Sequence, residues 1–183
     1  KIEEKIRRLE EDLDRVLDEI RRNSERVTKE AEEVLERLKR ENEKLKKRLE
    51  EVLEEIRRRP VDERLVEEVE RAVRELKKKS DESVDRSARL VEELKKRLEE
   101  SSRTVETLVR KLKEDLERVL REGGERRVDK VIEDLKRVLD EARRHNEDVV
   151  RKLKEALDKL REDDDRVRRD LEKKLRDLER RIE

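Results

Sequence analysis

The chain has 183 residues, 61% of them charged and 30% hydrophobic, against about 25% charged in an average soluble chain. Its 56 basic and 56 acidic residues cancel, which argues against a nucleic-acid binder, and acids interleave every basic stretch, which argues against a polybasic membrane patch. Cysteine, methionine and aromatic residues are all absent, so thiol chemistry is excluded and the usual walls of a small-molecule pocket are missing; no signal peptide is visible, and no apolar run approaches the ~20 residues of a membrane span.

Pro60, Gly123 and Gly124 are the strong breakers, and they divide the chain into segments of about 59 residues. The first segment predicts a helix over about 2–58. Its inner positions are Ile2, Ile6, Leu9, Leu13 and Val16, repeated 18 residues on by Ile20, Ser24, Val27, Ala31 and Val34, and again by Leu38, Asn42, Leu45, Leu49 and Val52. Five inner positions in each 18-residue block make a period of about 3.6, that of a straight α-helix, so little supercoil and a helix of about 85–90 Å are expected. Leu17, Leu35 and Leu53 form a second row; a wide stripe suits a helix that faces two neighbours.

The junction RRRPVDERLVEE follows. Asp62 suits the N-cap of the next helix, and Val61 and Val66 have the spacing of a hydrophobic staple. The second helix is expected over about 63–121, with Leu65, Val69, Ala72, Leu76 and Ser80 inward, then Ser83, Ser87, Leu90, Leu94 and Leu98, then Ser101, Val105, Leu108, Leu112 and Leu116. Val66, Val73, Val84, Val91 and Val109 make its second row. Serine is a poor helix-interior residue because its hydroxyl competes for backbone partners, so its recurrence in SDESVDRS (80–87) and SSRTVET (101–107) asks for a reason.

In REGGERR, Gly123 suits the left-handed position that ends a helix. The third helix is expected over about 126–182, with Val128, Val131, Leu135, Leu139 and Ala142 inward, then Asn146, Val149, Leu153, Leu157 and Leu160, then Asp164, Val167, Leu171, Leu175 and Leu178. Short links between long helices imply antiparallel neighbours. The expectation is an all-α protein, a single domain over 1–183: a straight, antiparallel, up-down-up three-helix bundle.

Matching the helix centres explains the serines. Asn23, Ser24, Ser101, Ser102, His145 and Asn146 converge on one level. Asn42 falls level with Ser80, and Ser83 level with Asp164, which makes a second polar slice. A buried polar group without a partner costs about 1–3 kcal/mol, so partners arranged across helices are the physical solution, and such layers disfavour slipped registers. Ser87 falls level with Val34 and Leu160, which leaves its own backbone as partner.

A straight 18-residue repeat, Glu/Lys/Arg-filled surfaces, capped short loops and matched Asn/Ser/His layers resemble, over the whole chain, de novo designed parametric helical bundles with hydrogen-bond networks. The resemblance implies a hyperstable scaffold, a switch cage or an assembly building block. Arg168 and Lys174 depart from it, occupying rows filled by Val150 and Ala156 one repeat earlier, so a wetter end of the third helix is expected.

Catalysis is the competing reading. His145 with Ser101 or Ser102 suggests a base and a nucleophile, oriented by Asp148 or Glu141. No Gly-rich turn, oxyanion hole or cleft accompanies them, so a structural, hydrogen-bonding histidine is expected and no catalytic residue is assigned. A carboxylate-bundle metal site needs Glu-x-x-His on two helices; Glu141 precedes the only histidine by four, and neither metal nor cofactor is expected. The run EDDD at 162–165 reads as a solvated face with Asp164 inward, balanced by Arg166 or Arg168. If His145 is neutral within a buried layer, acid should loosen that layer.

The expected function is therefore a structural scaffold with no native substrate, monomeric, binding neither nucleic acid nor membrane. The alternative is an interaction module that self-associates or takes a partner helix on an apolar stripe such as Val66, Val73, Val84 and Val91.

Overall fold

The structure, a computed structural model, describes residues 2–122 and 124–183, Glu125 through its backbone only. Three helices fill it: α1 (Ile2–Arg58), α2 (Glu63–Glu122) and α3 (Glu125–Ile182). Their termini match the helix dipole, with Glu3 and Glu4 opening α1, Arg57 and Arg58 closing it, and Arg180 and Arg181 closing α3.

Both junctions are built from local hydrogen bonds. The Asp62 carbonyl accepts from the amides of Leu65 (3.0 Å) and Val66 (3.2 Å), and its carboxylate accepts from the Arg64 amide at 3.4 Å. Asp62 thus caps α2, and Val61 and Val66 pack against one apolar cluster as a staple should. Gly123, the expected end of α2, lies outside the described residues. Gly124 takes the cap of α3 instead: its carbonyl accepts from Arg127 and Val128, both at 3.1 Å.

The chain forms two compact units, each holding part of every helix: Lys1–Lys29 with Leu94–Glu155, and Glu30–Glu93 with Ala156–Glu183. In the first, Ile6, Leu9 and Leu13 of α1 cluster with Leu112 and Leu116 of α2 and with Val128 and Ile132 of α3. In the second, Leu49, Val52 and Ile56 cluster with Val69 and Val73 and with Leu175, Leu178 and Ile182. In each unit α2 therefore runs against α1 and α3, the up-down-up arrangement of a three-helix bundle.

The 18-residue repeat reappears as burial. Ile20, Leu38 and Ile56 are buried, as are Val73, Val91 and Val109, and Val128, Asn146, Asp164 and Ile182. Four expected inner positions are displaced by their neighbours. Ala72, Leu108 and Val131 are half-buried and Leu90 is 42% exposed, whereas Val73, Val91, Val109 and Ile132 are buried. The reason is angular. At about 100° per residue, a step of four from Val69, Ser87, Val105 or Val128 lands about 40° off the same face, while a step of three lands about 60° off.

Candidate functional site: two polar slots at equivalent positions

The first unit carries the slot around Ser24, Ser101 and Asn146. The Ser24 and Ser102 hydroxyls share a hydrogen bond of 2.7 Å between α1 and α2. The Asn146 Nδ2 donates to Ser101 Oγ at 3.5 Å, a long bond between α3 and α2. Asn146 Oδ1 is buried without a hydrogen-bond partner among the described residues, which makes this slot incompletely satisfied. Asn23 is half-buried, and His145 is exposed. Placing His145 in the buried layer is thus corrected: it adjoins Asn146 in sequence, and a rotation of about 100° from that inward position carries its ring to the surface. With it falls the argument that acid strains this layer through a buried imidazole.

The second unit carries the slot around Asn42, Ser80, Ser83 and Asp164. Ser80 donates to Asn42 Oδ1, and Asn42 Nδ2 donates to Asp81 Oδ1 at 3.1 Å. Lys46 of α1 holds the same Asp81 oxygen at 2.6 Å. Burial alone would raise the Asp81 carboxyl, but the hydrogen bonds from Lys46 and Asn42 outweigh it and hold the group below its usual range. The Asp81 bond in turn raises the Lys46 ammonium. Ser83 is half-buried and lines the same cavity as Asp164.

That cavity, about 410 Å³, is floored by Leu45, Val84, Val167 and Leu171 and rimmed by charge. Asp164, only 7% exposed, accepts from Arg168 Nη2 at 2.9 Å. Arg168 also pairs with Glu41, which accepts from Arg37 Nε at 3.1 Å. Beside them Arg48 donates through Nη1 to both Glu172 oxygens, at 2.9 and 3.0 Å, and through Nη2 to Glu179 at 3.1 Å. Burial raises the Asp164 carboxyl to about 6, its neighbour Asp165 adds to the rise, and Arg37 opposes it. Burial and the like charge of Arg37 also lower the Arg168 guanidinium. Desolvation thus works against both partners of this ion pair.

The EDDD run resolves as expected in its parts: Asp164 points inward with Arg168 on it, and Glu162, Asp163 and Asp165 are exposed. Lys174 is half-buried, yet Ala156 one repeat earlier is exposed, so that row lies at the surface and only Arg168 marks a change inside. Ser87 is buried at the place held by Val69 and Val105 in the flanking repeats.

Three participants went unread in the sequence. Asp81 and Lys46 complete the Asn42 contacts, and Glu41 completes those of Arg168. For Glu41 a signal was present at a spacing of 18: it stands where Asn23 stands in the other slot. Among the described residues, no group of three His, Cys, Asp or Glu side chains is placed to hold a metal ion, and no helix is long and apolar enough to cross a membrane. Comparison with known proteins finds no matching family model, no matching curated protein and no matching solved structure.

Proposed function

We propose that this protein is a structural scaffold of the designed helical-bundle kind, acting on no substrate, in which buried polar layers fix the register of the three helices. The observation that carries the reading is the Asn42 contact set. One amide on α1 meets Ser80 through its oxygen and Asp81 through its nitrogen, so a slip of either helix leaves buried donors and acceptors unmatched. Surface pairs follow one register as well: Lys5–Asp129 and Glu19–Arg143 in the first unit, and Arg48–Glu172 in the second, are each separated by 124 residues. Exposed pairs add little stability, but consistent pairing disfavours alternatives.

The stripe that a partner helix would need is largely covered by the chain itself. Val73 and Val91 are fully buried, and Val66 and Val84 are half-buried. This supports a self-contained scaffold over an interaction module.

The test replaces Asn42, Ser80, Ser101 and Asn146 together with leucine. If the layers set register, the variant keeps its helix content, but its amide NMR spectrum splits into several sets of peaks where the parent shows one. A single set in the variant would remove the register role. Light scattering over a concentration series tests the scaffold itself: a constant monomer mass is expected, and a mass that grows with concentration would replace the scaffold with an associating subunit.

A further inference from the structure

The cavity in the second unit joins three features that structural register does not require: a buried carboxylate, half-buried ions around it, and open space. Layer formation needs only neutral partners, as Ser24 and Ser102 show. At the equivalent position of the other slot, α3 presents neutral Asn146, not Asp164.

The groups that face Asp164 come from two helices. From α1 these are Arg37, Glu41, Lys44 and Arg48, and from α3 they are Asp165, Arg168 and Glu172. α2 contributes Ser80, Ser83 and Val84, with no charge of its own to the lining; its Asp81 is joined to the rim through Asn42 and is already held by Lys46. Arg48 is occupied by Glu172 and Glu179. Glu41 is held by Arg37 Nε at 3.1 Å and also meets Arg168, whose Nη2 serves Asp164 at 2.9 Å. Asp164 is the most buried of these acids, at 7% side-chain exposure against 29% for Glu41 and 34% for Glu172. Burial therefore works hardest against its charged form, and the desolvation of Arg168, itself only 23% exposed, weakens the pair that would hold that charge.

We propose that Asp164 and the ions around it make the second unit a proton-operated latch, tightened when the Asp164 carboxylate takes up one proton and loosened when it loses it. The inference goes beyond the scaffold reading and does not depend on it: a register element needs no titrating group.

The sign follows from linkage. Burial raises the folded-state value of Asp164 to about 6, from 3.8. Between those values the folded protein holds the proton and the unfolded chain does not, so stability is greatest at the acid end and falls as pH rises through 6. For this group alone, the unfolding constant should rise about 50-fold from pH 4 to pH 7.5.

The experiment uses the full chain. Two readouts are taken. Carboxyl carbon NMR should give Asp164 a midpoint near pH 6, above its ordinary value of 3.8. Urea unfolding should give a midpoint that falls from pH 4.5 to pH 7.5. Adding Asp164→Asn should abolish that fall and raise the midpoint at pH 7.5, because the amide mimics the protonated acid. An Asp164 carboxyl that titrates near 4 would overturn the proposal. So would an unchanged pH profile in the Asp164→Asn chain. The carboxyl titration is read on a chain that keeps Asp164, so it decides the matter even if that variant folds poorly.

Discussion

The two polar slots occupy equivalent places in the repeat and have been filled differently. Ser24 becomes Asn42 after 18 residues of α1, and Asn146 becomes Asp164 after 18 residues of α3, while Ser101 and Ser83 correspond on α2. The first slot is neutral, with Asn146 Oδ1 left without a hydrogen-bond partner among the described residues, and in the second Arg168 Nη1 is left without one. The second is charged, and its one buried acid has recruited Arg168 into the row that holds Val150. A neutral polar residue can be accommodated by one neighbour. A buried carboxylate draws in a cation, and that cation meets a second acid, Glu41; a cavity of about 410 Å³ lies beside them.

The largest expected effect breaks the charged slot. Arg168→Ala strands the buried Asp164 and should cost about 3 kcal/mol in urea unfolding at pH 8. The loss should shrink at pH 5, where Asp164 is neutral. A loss that does not change with pH would mean that the arginine acts through packing alone.

A smaller pair of effects sharpens the comparison by sign. Asn42→Leu removes the partner of Ser80 and Asp81 and should cost about 1–3 kcal/mol. Asn146→Leu removes an acceptor that has no donor and should gain about 1 kcal/mol. Thermal melts of the two variants beside the parent would read both. Equal losses at the two positions would show that Asn146 is satisfied in solution, and the contrast between the slots would disappear.

The smallest effect is a null. His145→Gln should leave the melting temperature unchanged at pH 4.5 and at 7.5, because the ring is exposed. A shift confined to pH 4.5 would return the histidine to the layer.

What the sequence made legible was periodic. Pairing helix levels put Asn42 beside Ser80 and Asn146 beside Ser101, because antiparallel helices of equal length leave little choice of register. Rotation about the helix axis was harder. Ala72 and Val73 both fit an apolar stripe, and only the accumulated angle favours Val73. His145 was misplaced for the same reason: a shared level says nothing about which way a side chain turns. Side-chain reach was harder still. Lys46 arrives at Asp81 from another helix through a long flexible stem, and no spacing rule along one chain encodes that meeting.

The repeat has one further consequence. Eighteen residues make five complete turns, about 27 Å of helix, and bring each side chain back to its starting direction. A block of that size is therefore an interchangeable part. The neutral slot could be transplanted to the charged position, or the charged slot to the neutral one, by exchanging blocks between Ser24 and Asn42, Ser101 and Ser83, and Asn146 and Asp164. The chain can be read as a graduated scale on which chemistry is placed by counting.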